Sequence, residues 1–206
     1  MGSRQNFDKL RWKYDTPGIP DEMFERTEQV PITKEEVRAL TISKLRLKKG
    51  FTAIDVGCGS GSLTVEICNQ IRGGIAYAID FDEKAVELTK LNLRRFGFEA
   101  EVILSDAQDV LPRLPEVNSI VVGGTWSNTR KIIEMGISKL QQNGRLVINT
   151  ILIESAYEAL STIYSAKLEE VDVTQVIISK SRKVTTGTMM LARNPVLIIS
   201  ATKPTS

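Results

Sequence analysis

The sequence predicts an α/β fold in which a mostly parallel sheet carries helices on both faces. Two observations support this prediction. Five short apolar runs rich in β-branched residues alternate with segments of helical periodicity, and the runs themselves show little polar alternation. After one more helical segment, two further apolar runs follow with only a polar, glycine-containing segment between them. We therefore expect an antiparallel pair of strands at one edge of the sheet.

An arm without sustained periodicity comes first, over residues 1–32, and it is interrupted by several prolines. A helix is then predicted to begin at Thr33, because Thr33 and Glu36 have the spacing of a capping box. This helix runs to about Leu47. The remainder of the chain, 33–206, has the size of a single domain.

The later elements follow from periodicity and from stop signals. The predicted strands span residues 51–56, 75–79, 100–104, 119–122, 146–149, 168–179 and 194–201. Helices are predicted over 62–71 and over 154–166. A third helix is predicted between a cap at Asp82 and a stop at Gly97. A fourth follows an apolar stripe over 132–140 and is predicted to end at Asn143 and Gly144.

Composition excludes several classes of protein. The 206 residues contain 27 basic and 25 acidic side chains, and the net charge of +2 does not indicate a nucleic-acid partner. The sequence has no histidine, which excludes Ser-His-Asp and Cys-His hydrolases, histidine general bases and most catalytic zinc sites. Its two cysteines, Cys58 and Cys68, are too few for a disulfide framework or a structural zinc site, so we expect no metal.

No apolar run approaches the ~18 residues of a membrane helix, and residues 1–14 lack the apolar core of a signal peptide. We therefore expect a cytoplasmic protein without a membrane partner.

The most informative motif lies directly after the first predicted strand. It contains Asp55, Gly57, Cys58, Gly59, Ser60 and Gly61. Such glycines let a ligand approach the backbone closely, and the helix that follows directs free N–H groups towards it. The third glycine of the dinucleotide pattern is replaced by Ser62, and the adjacent Asp55 repels a pyrophosphate but attracts an ammonium or sulfonium group.

Two acidic residues are predicted at the ends of later strands. Asp80 follows the turn by about twenty residues, where a carboxylate commonly binds ribose hydroxyls. Asp106, with Ala107 beside it, ends the third strand and is placed to accept a hydrogen bond from an adenine amino group. Together with the glycine turn, these positions fit S-adenosylmethionine better than NAD.

These residues resemble the class I S-adenosylmethionine-dependent methyltransferases, over roughly residues 33–203. The resemblance implies a Rossmann-like fold with a seven-stranded, mostly parallel sheet, an antiparallel edge strand and helices on both faces. It also implies S-adenosyl-L-methionine as cofactor and a contact between that cofactor and Thr33, which the capping pattern interprets as a helix cap.

A narrower resemblance rests on four stretches, over residues 19–24, 30–38, 121–124 and 187–196. They are similar to the decarboxylating cobalt-precorrin C(15)-methyltransferases of cobalamin biosynthesis. The resemblance implies methylation of C-15 of a cobalt-precorrin, removal of the acetate carboxyl on C-12, and a homotetramer. Its substrate is then a tetrapyrrole and no nucleic acid is involved.

Other candidate residues allow two interpretations each. Trp126 either stacks on a flat ligand or is a buried aromatic residue. Arg182, Lys183 and Arg193 either bind substrate carboxylates or form a solvated hairpin face. Cys58 and Cys68 are interpreted as packing residues. No residue is assigned a catalytic role, because an electron-rich tetrapyrrole supplies its own nucleophilic carbon.

Three alternatives stay open at this stage. An RNA methyltransferase shares the core, although a larger basic surface is expected of one. A protein-carboxyl methyltransferase shares it without the stretch over 187–196. A non-catalytic partner subunit keeps the fold, but its glycine turn is usually eroded, whereas Gly57, Gly59 and Gly61 are all present here.

Overall fold

The computed structural model describes residues 12–124 and 128–205. Its strands are β1 (Thr52–Val56), β2 (Ile75–Asp80), β3 (Glu101–Leu104), β4 (Val117–Gly123), β5 (Leu140–Thr150), β6 (Glu169–Val176), β7 (Ser179–Val184), β8 (Gly187–Ala192) and β9 (Val196–Thr202). Its α-helices are α1 (Glu35–Leu45), α2 (Ser62–Ile71), α3 (Glu83–Phe96), α4 (Ala107–Val110), α5 (Thr129–Lys139) and α6 (Ile153–Ser165).

Seven strands form one mixed sheet in the order β3-β2-β1-β4-β5-β9-β6. The five strands β1 to β5 are parallel to one another, and β9 runs antiparallel to both β5 and β6. The outermost strand, β6, therefore has the direction of the first five. The predicted α/β fold, with a mostly parallel sheet and an antiparallel pair at one edge, is confirmed.

The helices cover both faces of this sheet. Buried side chains of α1, α2 and α3 form one apolar cluster, and those of α5 and α6 form a second cluster on the opposite face. Successive strand residues alternate between the two clusters, as Ala53 and Ile54 do on β1. The ends of the parallel strands are thereby held rigidly between two helical layers.

The predicted bounds of α3 agree with the structure. The Asp82 carboxylate accepts a hydrogen bond from the backbone N–H of Lys84, and Gly97 ends the helix with a positive φ of 73°. Both signals are local, which is why the sequence pattern was sufficient.

The prediction that Thr33 caps α1 is wrong. The helix begins at Glu35, and the preceding Lys34 makes no capping hydrogen bond. The backbone N–H of Glu35 instead donates to Asp21 Oδ1 at 3.0 Å, so the arm supplies the acceptor. A capping group fourteen residues away in sequence leaves no local pattern.

The predicted end of α5 at Asn143 and Gly144 is also too late. The helix ends at Lys139, because Leu140 already pairs with Val117 as the first residue of β5. The predicted strand 168–179 is shorter, since β6 ends at Val176. The polar segment that follows forms β7 and β8, a separate two-stranded sheet whose exposed residues gave no hydrophobic alternation.

The described part of the arm packs into the core. Ile19 and Phe24 are buried in the same apolar cluster as α1 and α2. Arg38 is fully buried and donates to Asp21 Oδ1 at 2.7 Å and to Glu66 Oε1 at 3.0 Å. The Glu66 carboxylate also accepts from the backbone N–H groups of residues 18 and 19, which fixes the arm against α2.

Candidate active site

A cavity of about 380 Å³ opens at the edge of the sheet where β1, β2 and β4 end. The glycine turn between β1 and α2 forms one wall, and residues 29–31 of the arm form another. This edge carries the carboxyl ends of the parallel strands, which is where open α/β sheets bind ligands. The lining residues are Gln29, Val30, Pro31, Val56, Gly57, Gly59, Ile79, Asp80, Phe81, Asp82, Ala85, Ser105, Asp106, Ala107, Gly123, Gly124, Asn128 and Ile132.

Two glycines of the turn are required by close contacts. A Cβ on Gly57 would lie 2.1 Å from the carbonyl oxygen of Gly123 at the end of β4. A Cβ on Gly61 would lie 2.7 Å from the Cα of Thr89 on α3. Both glycines also have positive φ, 76° and 71°. The turn is therefore compressed between two neighbouring elements, and its open side faces the cavity.

Hydrogen bonds from neighbouring elements fix the backbone of the turn. The N–H groups of Gly57 and Cys58 donate to the carbonyl of Ile79 at 2.8 and 3.1 Å. Asn92 of α3 is fully buried, and its Nδ2 donates to the carbonyl of Ser60 at 2.8 Å. The protein's own hydrogen bonds thus fix the shape of the turn, which lowers the entropic cost of binding a ligand there.

Asp80 lies in the cavity wall at the end of β2. Its Oδ2 accepts from the N–H of Gly59 at 2.9 Å, and its Oδ1 accepts from the N–H of Asp82 at 3.0 Å. Each carboxylate oxygen has a second lone pair. The half-buried Asp80 side chain therefore holds the turn and still has two acceptor positions for hydroxyl groups.

Asp106 and Ala107 lie across the cavity, where β3 leads into α4. Asp106 Oδ1 accepts from the backbone N–H of Gln108 at 2.8 Å and so caps the short helix. The Asp106 side chain is exposed and Ala107 is buried. The position predicted to bind an adenine amino group therefore lies in the cavity wall, and its Oδ2 accepts no hydrogen bond from the residues that the structure describes.

Asp55 lies behind the turn and does not line the cavity. It is buried, and the hydroxyl of Thr64 on α2 donates to its Oδ2 at 2.6 Å. The pKa of this carboxyl is raised to about 7, chiefly by burial and also by the negative charge of Asp80, against the lowering effect of the Thr64 hydrogen bonds.

The other predicted turn residues also support the cavity from behind. Ser60 and Gly61 are buried and absent from its lining. Cys58 is buried as well, and burial raises the pKa of its thiol, so the group stays protonated and is no nucleophile. Burial likewise raises the pKa of the Cys68 thiol to about 12.

The remaining candidates lie further away or outside the described residues. Thr33 is absent from the lining, and its carbonyl accepts a hydrogen bond from Arg38. Arg182 and Lys183 are exposed on β7, and Arg193 is half-buried after β8. Trp126 lies outside the residues that the structure describes.

Sequence reasoning missed two parts of the wall. Phe81 directly follows Asp80 and is 62% exposed, and an exposed aromatic residue at a strand end was a usable signal. Gln29, Val30 and Pro31 belong to the arm, and no local pattern indicates that an irregular segment returns to the glycine turn. They are held by α3, because Val30 packs against Ala85 and Leu88 and Gln29 Oε1 accepts a hydrogen bond from Lys84 Nζ.

The charge of the cavity indicates the kind of ligand it binds. Its described lining contains three carboxylates, Asp80, Asp82 and Asp106, and neither lysine nor arginine. Such a surface repels a pyrophosphate and attracts a ligand with ammonium or sulfonium charge. Within residues 12–124 and 128–205, no group of three or more acidic or cysteine side chains is placed to hold a metal ion.

Comparison with known proteins agrees with this geometry. The family model of the precorrin methyltransferase domain matches residues 22–203. A protein of Saccharolobus solfataricus named as a probable cobalt-precorrin-6B C(15)-methyltransferase (decarboxylating) is 42% identical over 95% of this chain and 100% of its own.

Two solved structures are similar over nearly their whole length. A precorrin 8W decarboxylase of Methanobacterium thermoautotrophicum shares 34% identity with a TM-score of 0.84, covering 89% of this chain and 98% of its own. A precorrin-6y C5,15-methyltransferase of Geobacter metallireducens shares 29% identity with a TM-score of 0.85, covering 93% of this chain and 100% of its own. The family resemblance predicted from the sequence is thereby confirmed, and the chain belongs to the precorrin methyltransferase family.

Proposed function

We propose that this protein uses S-adenosyl-L-methionine to methylate C-15 of a cobalt-precorrin and removes the carboxyl group of the C-12 acetate, as a step of cobalamin biosynthesis. The observation that carries the proposal is the acidic cavity beside an intact glycine turn in a chain of the precorrin methyltransferase family. The name of the Saccharolobus relative supports the choice of ring position and of decarboxylation.

The residues of the cavity fit this cofactor. Asp80 has two free acceptor positions for the ribose hydroxyls, and Asp106 has one for the adenine amino group. Phe81 offers an exposed aromatic ring to the flat base. The glycine turn accommodates the methionine end, with no lysine or arginine among the described lining residues to repel its sulfonium charge.

The chain contributes to catalysis by binding and orientation. Bound S-adenosylmethionine supplies an electrophilic methyl group, and the electron-rich ring of the substrate supplies the nucleophilic carbon. The rigid turn fixes one reactant beside the other, which converts an encounter into an intramolecular step. When the bond to the carboxyl group breaks, the conjugated ring accepts the electron pair that carbon dioxide leaves behind, and a proton from solvent then completes the methyl group at C-12. No protein base is needed, in keeping with a sequence that has no histidine.

The proposal extends to assembly and location. The active species is a homotetramer in the cytoplasm. The β7–β8 hairpin supports assembly, because a two-stranded sheet outside the main sheet leaves its edges unpaired. Cys58 and Cys68 are both free, as expected in a reducing compartment. Among the described residues, no helix has the length and apolar character needed to cross a membrane. Light scattering on the purified protein tests the tetramer.

Product mass tests the reaction. The protein is incubated with S-adenosylmethionine and cobalt-precorrin-6B, and we expect gain of one methyl group together with loss of carbon dioxide. Asp80→Asn serves as the control for dependence on the cavity. Methyl gain without loss of carbon dioxide would contradict the decarboxylation. Methylation of bulk tRNA or of a protein substrate, with the precorrin unchanged, would contradict the choice of substrate.

A further inference from the structure

The β7–β8 hairpin emerges at the same edge of the sheet as the cavity. Gly123, which lines the cavity, lies beside Asn149 of β5, and the next residue, Thr150, pairs with Leu197 of β9. At the same level, Val196 pairs with Val176, the last residue of β6. The chain between these two residues is the hairpin. The base of the hairpin therefore lies two to three strand spacings from β4, about 10 Å at β9 and about 14 Å at β6.

Strand alternation divides the hairpin into two faces. Lys180 pairs with Leu191, and Arg182 pairs with Met189, so these four side chains share one face. Arg193 joins them, because its backbone N–H donates to the carbonyl of Ile178 and continues the ladder. The neighbouring Lys183 points to the opposite face, with Met190 and Ser181. We call the face that carries Lys180, Arg182, Met189, Leu191 and Arg193 the Arg182 face.

Ion pairs show which way the Arg182 face is turned. Lys180 Nζ lies 3.1 Å from Glu35 Oε2 and 2.7 Å from Glu36 Oε1, both in the first turn of α1. The Arg182 face is thus turned towards α1 at its base. The segment directly before α1 contains Pro31, which lines the cavity, so the face and the cavity are neighbours along this edge.

The Arg182 face combines apolar surface with unpaired positive charge. Among the described residues, no carboxylate or other acceptor pairs with the guanidinium group of Arg182 or of Arg193, and Arg193 Nε is buried without a partner. Met189 and Leu191 lie between them and are 44% and 38% exposed. The other guanidinium donors, which no protein acceptor occupies, can form charge-assisted hydrogen bonds to carboxylates of a ligand.

We propose that the Arg182 face binds the substrate, with Arg182 and Arg193 holding two of its peripheral carboxylates and with Met189 and Leu191 contacting the macrocycle, while Lys183 takes no part. This inference rests on the proposed function and specifies its substrate site. The chemistry required is a flat ring with anionic side chains, and an uncharged planar ligand leaves both guanidinium groups unpaired. Lys180 positions the face through α1 and does not touch the ligand.

A matched pair of variants tests the proposal. Arg182→Gln and Lys183→Gln remove the same charge from adjacent exposed positions on opposite faces. Arg182→Gln should raise the KM for cobalt-precorrin about tenfold or more and leave kcat and S-adenosylhomocysteine affinity unchanged. Lys183→Gln should stay within about twofold of the unchanged protein in all three quantities. Equal losses in both variants would show that only the overall charge matters and would overturn the assignment, as would no loss in Arg182→Gln.

A binding measurement separates this inference from the proposed reaction. Fluorescence quenching with uroporphyrin, which carries eight carboxylates, and with coproporphyrin, which carries four, needs no turnover. We expect the octacarboxylate to bind more tightly, and Arg182→Gln and Arg193→Gln to reduce the difference. If the porphyrins bind as expected while the turnover assay gives no methylated product, the proposed reaction is wrong and the proposed substrate site is supported. If turnover occurs and the two porphyrins bind both variants as they bind the unchanged protein, the site is wrong and the reaction stands.

Discussion

The backbone N–H of Gly59 donates a hydrogen bond to Oδ2 of Asp80 at 2.9 Å, which joins the middle of the glycine turn to the end of β2. The same carboxylate accepts from the N–H of Asp82, the residue that caps the start of α3. Asp80 is therefore part of the frame of the cavity as well as a candidate ligand for the ribose. Replacing Asp80 should therefore change both the stability of the protein and its affinity for the cofactor.

Asp80→Ala should weaken binding of S-adenosylhomocysteine at least tenfold, because each charge-assisted hydrogen bond to the ribose contributes about 1.5–3 kcal/mol. The midpoint of thermal unfolding should also fall by several degrees without ligand, since two backbone donors lose their acceptor. Isothermal titration and calorimetry measure the two effects. Asp109→Ala, an exposed carboxylate outside the cavity lining, is the control. Tighter binding of NAD than of S-adenosylhomocysteine by the unchanged protein would refute the cofactor.

Asn92 links the turn to the arm. Its Nδ2 donates to the carbonyls of Ser60 and Glu25, and its Oδ1 accepts from the N–H of Glu25. Asn92→Ala should lower the free energy of unfolding by about 1–3 kcal/mol and weaken S-adenosylhomocysteine binding, because two walls of the cavity lose a common support.

Asn69→Ala is the matched control for Asn92→Ala. Asn69 is a buried asparagine of α2 whose side-chain amide donates to the carbonyl of Tyr14. We expect it to affect stability but not affinity. Urea unfolding and titration of both variants decide the point, and an equal change of affinity in both would argue against a positioning role for Asn92.

Arg38→Met should be strongly destabilising, by about 3–5 kcal/mol, because it leaves the buried carboxylate of Glu66 without its cation and that of Asp21 with only Lys34, whose Nζ lies 3.8 Å away. Burial already raises the pKa of Glu66, so this carboxyl takes up a proton readily once the cation is gone. The loss of stability should therefore be smaller at pH 5 than at pH 8. Arg46→Met removes an exposed arginine paired with Glu170 and should cost at most about 1 kcal/mol. Similar losses in the two variants would contradict the role assigned to burial.

Asp55→Asn should change how stability depends on pH. Burial raises the pKa of Asp55 from 3.8 to about 7, so between these values the folded protein keeps a proton that the unfolded chain releases. The contribution of Asp55 to stability is therefore fully present below about pH 4 and is lost as pH rises through about 7. Asparagine keeps an acceptor for Thr64 and does not ionise.

The measurement for Asp55 is the difference in unfolding midpoint between Asp55→Asn and the unchanged protein, from pH 5 to pH 8. As pH rises, the unfolding midpoint of the variant should increase relative to that of the unchanged protein. Asp109→Asn provides the baseline for an exposed position. A pH-independent difference would show that Asp55 is already ionised in the folded protein at pH 5.

Local patterns in the sequence were enough to predict the frame of the molecule. Apolar runs without alternation mark strands covered on both faces, and β1, β2 and β4 lie where these runs occur. Asp82 and Gly97 delimit α3 because caps act over one helical turn. Gly57, Asp80 and Asp106 were found from their positions at strand ends, and the parallel sheet brings those ends to one edge.

Contacts between residues distant in sequence determined the rest. Asp21 rather than Thr33 supplies the acceptor at the start of α1, because the buried Arg38 draws the arm back onto that helix. Arg182 and Lys183 lie on opposite faces of the hairpin because of the register of its two strands. The sequence did not indicate these strands, because exposed strands carry no apolar alternation. The sequence by itself determined the strands of the main sheet, the turn and its acidic residues, since each depends on neighbours within a few positions. Only the tertiary structure decided which residues close the cavity and which cations share its edge, since burial and register join segments far apart in the chain.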